Sequence, residues 1–110
     1  MLIVQGGHDV AIELLPYDSA EHFKDPEAQE ELLRDAIEVG DAGYLAHALG
    51  IVARARGMTN VQRETGMSRQ ALYRALSSTG NPTMETVFKV MKALGLKMTI
   101  GHADGDRQPA

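Results

Sequence analysis

The chain has 110 residues and a mass of 11.9 kDa, enough for one domain and too little for a second of ordinary size. It is 44% hydrophobic and contains no cysteine, so a core can form while disulfides, Cys-based zinc sites and thiol nucleophiles are excluded. The net charge of −4 argues, taken whole, against a polyanionic partner, and no window approaches the ~18 consecutive apolar residues of a membrane helix.

The start, Met1–His8, has no basic stretch ahead of a sufficient apolar run, so it does not read as a secretory signal and a cytoplasmic protein is expected. Val10, Ile12 and Leu14 alternate with Ala11 and Glu13, which fits a short strand. It fits equally an arm ordered only on binding, because a lone strand is unstable in water. Residues 1–24 are therefore read as an arm that need not be ordered throughout, 25–100 as the folded domain, and 101–110 as a flexible tail.

Asp25-Pro26 predicts the start of a helix, with Asp25 as cap, Pro26 at the first helical position and Leu32, Leu33, Ala36 and Ile37 as its apolar stripe. Gly40 stops it. Asp41 caps the next helix, in which Tyr44, Leu45, Ala48, Leu49 and Val52 recur at helical spacing before Gly57. Two short helices follow, about 59–65 and 69–77, separated by Gly66-Met67-Ser68. Gly80-Asn81-Pro82 breaks the chain, and Thr83 caps a last helix carrying Met84, Val87, Phe88, Met91 and Leu94 on one face, closed by Gly95. Leu96–Ile100 alternates like a short strand. The expected fold is all-α, with five helices and room for one short C-terminal strand.

Position reverses the reading of the net charge. Residues 1–51 hold 11 acidic and 2 basic side chains, and residues 52–97 hold 8 basic and 2 acidic ones. An acidic half joined to a basic half suggests two different partners.

The basic half contains the most informative segment, Thr59–Ser77. Two short helices meeting at a tight turn form a helix-turn-helix, and such a turn commonly needs a left-handed residue, which Gly66 supplies. Val61, Met67, Leu72 and the Ala75-Leu76 pair would pack inside the corner. Ser68 can cap the second helix, leaving Ser68, Arg69, Gln70, Tyr73, Arg74 and Ser77 outward. Arg69 and Arg74 can read guanine edges or hold phosphates, Gln70 can pair with adenine, and Tyr73 can meet a phosphate or a thymine methyl. Arg54, Arg56, Arg63 and Lys89 are the flanking candidates for backbone phosphates. Helical bundles without DNA partners also contain such turns; the +6 charge of residues 52–97 tips the reading toward DNA.

A family resemblance rests on residues spread over about 16–100: Pro16-Tyr17-Asp18, Asp25-Pro26-Glu27, Gly40-Asp41, Ala53-Arg54-Ala55-Arg56-Gly57-Met58-Thr59, Arg63-Glu64-Thr65-Gly66-Met67-Ser68-Arg69, Leu72-Tyr73-Arg74-Ala75-Leu76, Gly80-Asn81-Pro82 and Lys92-Ala93-Leu94-Gly95-Leu96. The chain resembles the HigA-type addiction-module antidote (antitoxin) proteins, which carry an XRE-like, λ-repressor-like helix-turn-helix. The resemblance implies an antitoxin that binds a RelE-superfamily (HigB-like) toxin and represses the shared operon as a homodimer on operator DNA. Two positions depart from the family pattern. Gln62 stands where alanine is usual, four residues before the turn glycine. Asn60 stands where glutamine is usual, at a place of phosphate contact that asparagine reaches with a shorter arm.

Other chemistry is weakly supported. His8, His22, His47 and His102 lack metal-ligand spacing, no serine has a nucleophile-elbow context and no phosphate-binding glycine loop is present, so no cofactor, metal or enzymatic activity is expected. Part of the Met84–Met91 stripe is a candidate dimer face, with Leu96–Ile100 as the second candidate. Glu27, Glu30, Glu31, Asp35 and Glu38 read either as a solvated face or as the surface that docks a basic toxin. A stand-alone phage-type regulator and a protein-interaction module that has lost DNA binding are the competing readings.

Overall fold

The computed structural model describes residues 23–103, and five helices follow one another there: α1 (Pro26–Val39), α2 (Ala42–Arg56), α3 (Met58–Thr65), α4 (Arg69–Ala75) and α5 (Met84–Ala93). Among the described residues there is no strand, and the fold is all-α as expected. The readings made for residues 1–22 and for the tail from residue 104 onward lie outside the described residues.

Four helix starts are set by side chains three residues ahead of the amide they cap. Asp25 accepts from the Ala28 N–H at 3.3 Å, Asp41 from Tyr44 at 2.8 Å, Ser68 from Ala71 at 3.0 Å and Thr83 from Thr86 at 3.1 Å. Each satisfies an amide with no partner inside its helix, a gain of about 1 kcal/mol per cap. The fifth start differs: α3 follows α2 through Gly57 alone and has no side-chain cap.

α2 packs against each of the other four helices, which explains a burial wider than its predicted stripe. Ala46, Ile51 and Ala53 are buried along with Tyr44, Ala48, Leu49 and Val52, while Leu45 is only half-buried. The α2 glycines let the chain after α4 cross at backbone distance. A Cβ on Gly50 would lie 2.6 Å from the Leu76 carbonyl oxygen, and one on Gly43 would lie 2.5 Å from that of Ser78.

α4 stops at Ala75, two residues short of the expected end, with Leu76 as its cap residue. In α5 the predicted stripe divides. Val87, Met91 and Leu94 enter the core together with Val90, whereas Met84 and Phe88 remain 58% and 55% exposed. Leu96–Ile100 forms no strand, because a ladder needs a neighbour and no described residue supplies one. Leu96 still packs on the core, its N–H bonded to the Met91 carbonyl at 2.9 Å, and Ile100 is wholly exposed. No helix among the described residues is long and apolar enough to cross a membrane.

A polar chain ties the two ends of the domain. Gln29 is buried on α1. Its Nε2 donates to the Phe23 carbonyl at 2.7 Å and its Oε1 accepts from Arg56 Nε at 2.7 Å. Arg56 Nη1 in turn donates to the carbonyl of Leu94.

Candidate nucleic-acid interface

The corner between α3 and α4 is closed from within by Val61 and Leu72, neither of which has accessible surface, while Met67 and Ala75 pack against the same core. Gly66 sits at φ 75°, the left-handed conformation the turn requires, and its N–H bonds the Gln62 carbonyl at 2.8 Å. Gln62, at the position where alanine is usual in the resembling family, is half-buried and does not prevent this closure. Thr65 adds a stitch that sequence reading missed. Its Oγ1 donates to the Val61 carbonyl at 2.7 Å and accepts from the Met67 N–H at 3.1 Å, so one buried hydroxyl spans the turn. A threonine directly before a turn glycine, placed to bond the carbonyl four residues earlier, was the available signal.

Closing the corner this way leaves Ser68, Arg69, Gln70, Tyr73 and Arg74 exposed on α4. Arg69 lies across the motif, its Nη1 donating to Tyr73 Oη and its Nη2 to Thr59 Oγ1, each at 3.3 Å. Thr59 was not among the candidate residues. Ser68 Oγ accepts the capping bond from Ala71, which leaves its proton free to donate. The side chains of Gln70 and Arg74 have no hydrogen-bond or ion-pair partner among the described residues. Ser77 departs from this row: it is half-buried, with Oγ 3.2 Å from the Arg74 carbonyl and 3.3 Å from Thr79 Oγ1.

The flanking cations differ in how far the fold already engages them. Arg54 is exposed and its side chain has no partner among the described residues. Arg56 is held by Gln29 and Leu94. Arg63 donates to Asn60 Oδ1 at 3.0 Å, so these two candidates form one exposed pair. Lys89 lies 3.6 Å from Glu85 along α5. Beside the end of α4, an open cleft of about 410 Å³ is lined by Arg74, Ser77, Thr79, Asn81 and Pro82. Gly80 shapes it, since a Cβ there would come within 2.4 Å of the Ala75 carbonyl oxygen.

The acidic candidates occupy a different helix. Glu27, Glu30, Glu31, Asp35 and Glu38 are all exposed on α1, which packs on α2. Asp35 accepts a 2.6 Å hydrogen bond from Tyr44 Oη, and Glu30 pairs with Arg34 at 3.7 Å.

A family model described as "Probable addiction module antidote protein" matches residues 13–102, most of the chain. The chain belongs to that antidote family. A relative from Haemophilus influenzae (strain ATCC 51907 / DSM 11121 / KW20 / Rd), described only as an uncharacterized protein, is 43% identical over 88 residues, covering 80% of this chain and 91% of its own length. No solved structure matches the chain significantly. For an antidote, the fold separates two surfaces by helix: an exposed row of hydrogen-bonding and cationic side chains on α4, and a run of carboxylates on α1.

Proposed function

We propose that this antidote-family protein is the antitoxin of a type II toxin–antitoxin module, neutralising a RelE/HigB-like toxin by direct binding and repressing its own operon. The observation that carries the DNA half is the exposed row Arg69, Gln70, Tyr73 and Arg74 on a helix whose opposite side closes the corner through Leu72. In this reading α4 enters the major groove, with Arg69, Gln70 and Arg74 at base edges and Ser68 and Tyr73 near phosphates. Asn60 with Arg63, together with Arg54 and Lys89, takes the flanking backbone. Arg56 and Ser77 have a smaller share, because the fold already uses their polar atoms.

Repression by a motif of this kind uses two copies, placing two recognition helices about 34–36 Å apart on a pseudo-palindromic operator. Met84 and Phe88, one turn apart and exposed on α5, form the apolar centre of the proposed two-fold contact. Glu85 and Lys89 flank them, so two antiparallel α5 helices would set each carboxylate beside the other copy's ammonium group. The toxin half rests on the family and on the charge of residues 1–51, which would steer a basic, RNA-binding toxin toward Glu27, Glu30, Glu31, Asp35 and Glu38.

A gel-shift titration on the protein's own promoter tests the DNA half. Arg74→Ala is expected to cost roughly 1–3 kcal/mol of binding where Arg74 reads a base, and the wild-type affinity should fall steeply with salt. Binding unchanged by both Arg69→Ala and Arg74→Ala overturns the α4 assignment, and no salt-dependent shift at all favours the interaction module that has lost DNA binding. Co-purification with a small basic protein encoded beside it tests the toxin half. Full retention by a Glu27→Lys, Glu31→Lys, Glu38→Lys variant removes the acidic face from the toxin contact.

A further inference from the structure

The N-terminal and C-terminal parts of the chain leave the domain from one place. Phe23, the first described residue, is joined to Leu94 through Gln29 and Arg56, and both Phe23 and Leu96 pack against the same core cluster. From that place one segment continues toward lower residue numbers and the other toward higher. Two such segments lie antiparallel when they run side by side.

The C-terminal segment presents an edge that pairs with no strand among the described residues. After Gly95, at φ 72°, the chain passes through half-buried Leu96 to Met98 and Ile100, which are 37% and 99% exposed. The three apolar residues occupy alternate positions, the pattern of one face of a strand. Two residues further on, His102 takes part in a single β-bridge. Charge marks what would cover this edge: residues 95–103 contain Lys97 and no carboxylate, whereas residues 1–22 contain Asp9, Glu13, Asp18 and Glu21 and no lysine or arginine.

We infer that the edge formed by Leu96–Ile100 is occupied by the chain's own segment Val10–Leu14, added as an antiparallel strand. One register satisfies both faces. Val10 stands opposite Ile100, Ile12 opposite Met98 and Leu14 opposite Leu96 on the apolar face, and Glu13 stands opposite Lys97 on the other. A slip of one residue in either direction sets Glu13 against Met98 or Leu96, which disfavours it. The eight residues 15–22 span at most about 26–29 Å when extended, enough to arch from Leu14 back to Phe23. The pairing needs neither DNA nor toxin, so it stands apart from the proposed function.

Amide hydrogen exchange on the full chain, free of DNA and toxin, tests it. The amides of Lys97–Ile100 are expected to exchange roughly 3- to 10-fold slower than in an unstructured peptide, since a two-stranded ribbon resting on one half-buried residue is only marginally stable. Ile12→Asp and Glu13→Lys should each abolish most of that protection while the amides of α1–α5 keep their rates. Adding Lys97→Glu to Glu13→Lys should restore it. Peptide-like rates in the wild type, protection indifferent to Ile12→Asp, or a charge swap that restores nothing overturns the pairing. Protection that rises with protein concentration also overturns it, and assigns the edge to a second copy instead.

Discussion

Gly50→Ala is the substitution whose outcome the structure makes most specific. The new Cβ would stand 2.6 Å from the Leu76 carbonyl oxygen and 3.3 Å from the Leu76 Cβ. Carbon and a carbonyl oxygen settle at about 3.3–3.6 Å, so the two chains must part by roughly 0.7–1 Å. Neither yields easily. Position 50 lies between buried Leu49 and Ile51, and buried Leu76 is tied by its N–H to the Leu72 carbonyl at 2.9 Å.

Alanine gains about 1 kcal/mol over glycine in a helix interior, and overpacking of this kind costs about 1–3 kcal/mol. The clash wins, for a net loss of about 1 kcal/mol and a melting temperature lower by about 4–8 °C in a domain of this size. Leu76 directly follows α4, so parting the chains also re-aims Arg69, Gln70, Tyr73 and Arg74, and under the proposed DNA-binding role operator affinity should fall although the protein remains folded at 25 °C. Thermal melts followed by circular dichroism, paired with an anisotropy titration of operator DNA, read both effects. Gly101→Ala is the control, because nothing lies within 4 Å of a Cβ there and its stability should change by less than ~0.5 kcal/mol. A Gly50→Ala protein that melts at or above the wild-type temperature and binds DNA equally well refutes the close approach.

Thr65→Val keeps the shape of the turn and removes its buried hydroxyl, leaving the Met67 N–H without its partner; urea denaturation should show a loss of about 1–2 kcal/mol. Gln29→Leu removes the bonds to the Phe23 carbonyl and Arg56 Nε, and because Arg56 is exposed enough for water to replace the lost bond, a loss of about 1 kcal/mol is expected in the same assay. Leu72→Ala empties the centre of the corner and should cost about 2–5 kcal/mol, a large share of a domain's usual stability and visible as a lowered urea midpoint.

The features legible in the sequence were local ones. Asp25, Asp41, Ser68 and Thr83 each act on an amide three residues away, and Gly66 answers a backbone requirement at its own position, so no knowledge of the tertiary fold was needed to find them. The corner residues Val61 and Leu72 followed from the helix-turn-helix pattern around Gly66. What escaped depends on partners distant in sequence. Gly50 looks like a weak point in a helix until Leu76 is seen lying across it, and Arg56 looks like a free cation until Gln29, 27 residues earlier, accepts from it. The α5 stripe misled for a related reason: periodicity predicts which residues share a face but not how much of that face the other helices cover. Met84 and Phe88 lie beyond the cover that Val87 and Met91 receive.

Sorting the charged residues by what the fold already asks of them separates stability from binding. Arg56, held between Gln29 and Leu94, joins α2 to both ends of the domain, so its loss reaches the fold first and any partner second. Arg69 is intermediate, since its bonds to Tyr73 and Thr59 are exposed and easily replaced by water. Arg54 and Arg74 on one side, and Glu27, Glu31 and Glu38 on the other, are exposed without any partner among the described residues. Exposed charges of this kind contribute little to stability, typically within ±0.5 kcal/mol, so the core gives no reason for their arrangement. Like-signed groups along one helix even repel one another slightly. Three unpaired carboxylates on α1 and an unpaired arginine on α4 are therefore the positions where substitution should leave the melting temperature in place while changing what the protein holds.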